Sequence, residues 1–109
     1  MSAYSVQVNF ELACSKEQYL ALAQSALPAI REVAGLIFKL WLLSDDGTRA
    51  GGIYLFRDCA SAEHYVNSAL VQKLRDSPAI RQLDVRVTPV DVGLSAHTAA
   101  ALIEELRSR

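Results

Sequence analysis

Alternating apolar segments near the two ends, an apolar hairpin in the middle and two amphipathic stretches between them predict an α+β fold. The order is β-α-β-β-α-β with a C-terminal helix, the ferredoxin-like split arrangement. The whole chain, residues 1–109, is expected to form one domain, since one core serves this length. Apolar residues make up 51% and charged residues 21%, which excludes a disordered chain.

Residues 4–12 place Tyr4, Val6, Val8, Phe10 and Leu12 on one side and Ser5, Gln7, Asn9 and Glu11 on the other, the period of a strand. Ser15 and Gln18 have capping-box spacing. The helix that follows carries Tyr19, Ala23, Ala26, Leu27, Ile30, Val33 and Ala34 on one face. Pro28 falls on the opposite face and is expected to kink or divide it, and Gly35 to end it. Residues 36–43 read as a strand by length and flanks, although they do not alternate. Asp45-Asp46-Gly47-Thr48 is a hairpin turn leading to a third strand over 50–56. Asp58 or Ser61 caps a second helix with the stripe Ala62, Tyr65, Val66, Ala69, Leu70 and Leu74, which Ser77-Pro78 breaks. Residues 83–91 alternate again, with Leu83, Val85 and Val87 inward and Pro89 marking an edge. Residues 95–107 predict a short helix docking through Ala101, Leu102 and Leu106.

The middle hairpin is apolar on both faces: Phe38, Leu40 and Leu42 on one, Ile37, Trp41 and Leu43 on the other. A sheet with one solvated face should alternate cleanly. Two helices cover only one face, so the other is expected to meet the sheet of a second copy. A two-residue loop at Asp46-Gly47 sets Trp41 opposite Gly52 and Lys39 opposite Tyr54, all on one face. That gives an aromatic wall with two polar tips, suited to a planar ligand with acidic hydroxyls. The competing reading makes Trp41 and Tyr54 plain core, with Lys39 reaching to the rim.

Charge and motifs exclude other classes. Eleven basic and twelve acidic residues leave a net charge of −1, without the basic footprint of a nucleic-acid binder. Cys14 and Cys59 form neither a disulfide framework nor a zinc cluster. No signal peptide or membrane-length apolar run is evident, so a cytoplasmic location is expected. No Ser/His/Asp set, carboxylate pair or phosphate-cradling glycine loop appears. By the helical wheel His64 faces solvent, and His97 lies in the terminal helix. Cys59 near a helix start is a minor candidate for a lowered thiol pKa.

Gly35, Lys39 and Trp41, the string Ala50-Gly51-Gly52-Ile53-Tyr54-Leu55-Phe56, and Asp58, Ser61, Ala62 and Tyr65 together resemble the YdhR-type putative monooxygenases, within the dimeric α+β barrel superfamily. Val6-Gln7-Val8-Asn9-Phe10 and Asp91-Val92 with Leu94-Ser95 extend the resemblance over most of the chain. It implies a homodimer whose sheets close into a barrel, with a pocket between sheet and helices in each subunit. It implies oxidation of a small hydroxyaromatic or quinol by O₂ without metal, heme or flavin. Members can carry a first-strand histidine where this chain has Asn9. On these grounds Asn9, Lys39 and Tyr54 are the catalytic candidates, and Trp41, Gly52 and Tyr65 the substrate-binding ones, all expected in one pocket. Lys39 would stabilise a phenolate, Asn9 and Tyr54 would position it, and Trp41 would stack. The alternative is a non-catalytic dimeric binding or sensor module using the same pocket. A dehydratase or isomerase would need a base that no residue supplies.

Overall fold

The computed structural model describes residues 2–108. Its elements are β1 (Tyr4–Leu12), α1 (Lys16–Arg31), β2 (Leu36–Leu43), β3 (Arg49–Phe56), α2 (Cys59–Val66), α3 (Ala69–Asp76), β4 (Ile80–Pro89), α4 (Val92–Ser95) and α5 (Ala100–Arg107). The four strands form one antiparallel sheet in the order β2-β3-β1-β4, the ferredoxin-like arrangement, with the Pro89-bearing strand at an edge.

The helices follow their caps, with differences. Ser15 Oγ accepts from the Gln18 amide at 3.1 Å, and Gln18 Oε1 accepts from the Ser15 amide at 2.9 Å, which closes the expected capping box. The helix neither divides at Pro28 nor reaches Gly35: it runs through the proline to Arg31. Pro28 and Gln24 are exposed, so the carbonyl that loses its partner faces water. Gly35, at φ +78°, serves the turn into β2. The second predicted helix is two helices. Asp58 caps α2, accepting from the Ser61 amide at 2.8 Å, and Ser68 interrupts the apolar stripe to cap α3. The C-terminal segment likewise splits into α4 and α5.

Two β-bulges reset which side chains face which way. In β2 the register slips by one between Leu36 and Phe38, so Ile37 is the extra residue. Leu36 and Lys39 therefore both face the helices, while Ile37 joins Phe38 in the cluster on the opposite face rather than siding with Trp41. In β4 the slip lies opposite Phe10, where Gln82 adopts φ 56°. The strand consequently starts at Ile80, earlier than its alternation suggests.

The core lies between the sheet and its helices. Val6, Val8 and Phe10 of β1 and Tyr54 and Phe56 of β3 pack on Tyr19 and Ile30 of α1, Ala62 and Tyr65 of α2, and Val71 of α3. The other face has a partial cover of its own. α5 seats Ile103 and Leu106 against Leu55 and Ala3, with Ile37 and Phe38 alongside. The docking face is thus Ile103 and Leu106; Ala101 and Leu102 are exposed. α5 leaves Leu40 54%, Leu42 37% and Ile53 36% exposed.

Candidate functional site

The β2–β3 hairpin builds the site. Lys39 pairs with Tyr54 and Trp41 with Gly52, the register expected, although five residues, Ser44 to Thr48, separate the two strands. Asp46 organises that loop: its carboxylate accepts from Ser44 Oγ at 2.8 Å, Thr48 Oγ1 at 2.7 Å and the Thr48 amide at 3.1 Å. These bonds hold the Asp46 carboxyl below its ordinary pKa. The paired residues face the helices, and a cavity of about 400 Å³ opens between them and α1, α2 and α3.

Lys39 crosses the floor of this cavity. A Cβ on Gly52 would stand 2.7 Å from Lys39 Cε, so the glycine makes room for the lysine stem. The expected arrangement, with the indole flat over Gly52, is replaced by this one. Lys39 Nζ lies 3.3 Å from the Trp41 ring centroid and 4.7 Å from that of Tyr54. Both faces attract a cation. Burial works the other way and lowers the Lys39 pKa to about 8. Among the described residues no acidic side chain lines the cavity, and Lys39 has neither an ion-pair nor a hydrogen-bond partner.

Tyr54 and Tyr65 form a second polar spot in the lining. Their hydroxyls are 2.8 Å apart and both residues are buried. Their rings pack at 4.9 Å and share Phe56 as a neighbour. Burial raises both phenols above the ordinary value, Tyr54 the more strongly. Neither is a base near neutral pH. One of the two O–H groups bonds to the other oxygen, which leaves one donor for a ligand.

The predicted residues separate into two groups. Lys39, Trp41, Tyr54 and Tyr65 line the cavity together, with Gly52 beneath the lysine. Asn9 does not join them. Val8 and Phe10 face the helices, so strand alternation turns Asn9 to the opposite face, where it is exposed between Gly51 and Asp84. His64 and His97 are exposed and outside the cavity. Partial burial and the nearby Glu63 carboxylate raise the Cys59 thiol pKa, opposite to the minor expectation.

Sequence reasoning missed the helical wall. Ala23, Ala26 and Ile30 of α1 and Leu70 and Leu74 of α3 line the cavity, and Lys73 and Ser77 add polar groups. The small alanines of α1 were the available signal, since they leave space under a helix that large residues would fill. Among the described residues no group of three His, Cys, Asp or Glu side chains is placed to hold a metal ion, and no helix is long and apolar enough to cross a membrane.

Solved structures share this fold at low identity. Protein SO0527 of Shewanella oneidensis is 18% identical, with TM-score 0.67 over 82% of this chain and 91% of that one. SnoaB of Streptomyces nogalater, described as a cofactor-independent oxygenase, is 8% identical, with TM-score 0.67 over 84% and 95%. A protein from an uncultured marine organism, described as dimeric and ferredoxin-like, is 13% identical, with TM-score 0.65 over 84% and 97%. No curated protein matches the chain. The family model described as "Putative mono-oxygenase ydhR" matches residues 6–101, and the chain belongs to that family.

Proposed function

We propose that the chain is a cofactor-independent monooxygenase of a small hydroxyaromatic or quinol, working as a homodimer with one cavity per subunit. The observation that carries this is Lys39: among the described residues its ammonium nitrogen has no counter-ion, and it is held against two aromatic faces in a cavity that no acidic side chain lines. A hydroxyaromatic oxygen would supply the missing anion, and its ring would lie along Trp41. Pairing with the ammonium lowers the cost of deprotonating the hydroxyl. At pH near 8 the lysine itself can take that proton, since its pKa lies close by. The anion would then give an electron to O₂ directly, and the mostly apolar cavity would hold the two together. The hydroxyl donor left over by the Tyr54–Tyr65 bond would orient a second oxygen of the ligand.

The homodimer reading rests on the exposed Leu40, Leu42 and Ile53, which a second sheet would cover. Asn9 would then face the partner sheet rather than the substrate. This outward Asn9, with both histidines outside the cavity, favours a second reading, a non-catalytic binding or sensor module. Oxygen uptake with a panel of naphthols and hydroquinones separates the two. The first requires substrate-dependent O₂ consumption that Lys39→Met abolishes. Saturable binding of the same compounds with no O₂ consumed would replace it with the second.

A further inference from the structure

The chain has three lysines, and their surroundings differ. Lys16 opens α1 and Lys73 lies on α3 at the cavity edge, and both are exposed. Lys39 is half-buried, its nitrogen sits against the Trp41 and Tyr54 rings, and among the described residues no carboxylate pairs with it. We propose that Lys39 is an imine-forming amine that captures flat aromatic aldehydes in this cavity. The inference does not depend on oxygen chemistry.

The step balances without a further reactant. The neutral amine adds to the carbonyl carbon, and an N–H proton passes to the carbonyl oxygen. The carbinolamine then loses water and leaves a C=N bond, with no change of oxidation state. The cavity favours this in two ways. Its apolar lining disfavours the water that would return the imine to aldehyde, and its aromatic wall holds the aryl group beside the nitrogen. Burial supports it by keeping a larger fraction of the amine neutral, as for other lysines set in apolar pockets.

The groups facing the cavity set its pH dependence. They are Tyr19 from α1, Tyr54 from β3, Tyr65 from α2 and Lys73 from α3, while β1 contributes only Val8 and Phe10. Burial raises all three phenols, so they stay neutral where Lys39 titrates. Capture should therefore rise with pH up to about 8 and level off above it.

The test is reductive trapping of the whole protein with 2-naphthaldehyde and cyanoborohydride near neutral pH, followed by peptide mapping. Hydride from the reductant converts the imine to a stable secondary amine. At equal nucleophilicity the ordinary lysines would be a few hundredfold less neutral at this pH, roughly 250-fold for a pKa about 2.4 units higher. The aromatic faces favour the ammonium and offset part of that, so the expected excess of adduct on Lys39 over Lys16 and Lys73 is about tenfold. Lys39→Arg keeps the charge and should lose the Lys39 adduct, with the protein still folded by circular dichroism and labelling of Lys16 and Lys73 unchanged. Equal labelling of all three lysines would overturn the proposal. So would reaction at Lys16 and Lys73 with none at Lys39.

Discussion

The two faces of the sheet are built from the same strands and end differently. Toward the helices, Val6, Val8, Phe10, Tyr54 and Phe56 are closed over by α1, α2 and α3, and the gap left among them is the cavity. On the far face, α5 covers Leu55, Ile37 and Phe38 and stops short of Leu40, Leu42 and Ile53. The strand β2 supplies both, with Lys39 and Trp41 on one side and Leu40 and Leu42 on the other. The difference is one of cover: three helices close over one face around a cavity, while α5 leaves part of the other face exposed. It also separates roles: a change on the helix face should alter ligand binding, and one on the far face should alter assembly.

The largest expected effect comes from breaking the far face. Leu40→Asp would put an unpaired charge from each subunit into the proposed sheet-to-sheet contact, at about 3–5 kcal/mol apiece, the scale of an uncompensated buried charge. Sedimentation should show the wild type as a dimer and this variant as a folded monomer near 11.9 kDa. The protomer itself should tolerate the change, because Leu40 is more than half exposed there. A wild type that sediments as a monomer would end the comparison on this side.

Next comes the helix face. Lys39→Met should weaken a bound hydroxyaromatic anion by about 1.5–3 kcal/mol, the scale of a hydrogen bond to a charged group. The methionine keeps most of the stem over Gly52, so urea unfolding should hardly move. Equal affinities by calorimetry would remove Lys39 from the site.

The smallest effect sharpens the picture of the tyrosine pair. Tyr54→Phe and Tyr65→Phe each leave one buried hydroxyl without its partner, at about 1–3 kcal/mol. The double variant removes both groups and should cost less than the sum. A coupling of about 1 kcal/mol in chemical unfolding is expected, and strict additivity would mean that the hydroxyls do not bond.

How much of this could be read from the chain depended on whether the signal was local. The hairpin register was legible because Asp46-Gly47 marks the turn and pairing then follows by counting, which placed Lys39, Trp41 and Tyr54 on one face. The bulges at Ile37 and Gln82 were not legible. Each adds one residue without a glycine to mark it, and parity beyond it is reversed. The break at Ser68 was hidden because the apolar stripe continues across it. Asn9 was misplaced for a different reason: adjacency of β1 and β3 says that two strands touch, not which side chains share a face. Alternation with Val8 and Phe10, both buried, decides that. The cover by α5 depended on tertiary contacts, Ile103 with Leu55, that no short-range pattern encodes.

The most direct test of the central claim, a Lys39 ammonium paired with a hydroxyaromatic oxygen in the cavity, is calorimetric affinity for 2-naphthol as a function of pH. Binding as ammonium and anion needs the lysine protonated and the ligand ionised. Below a lysine pKa of about 8, each unit of pH supplies tenfold more anion, so affinity should rise tenfold per unit. Between about 8 and the ligand's own pKa the lysine loses what the ligand gains, and affinity should be flat. Above the ligand's pKa it should fall. Lys39→Met should lack the break near 8, binding the neutral ligand evenly until that ligand ionises. The same profile in both proteins, or a wild type with no break near 8, would contradict the account.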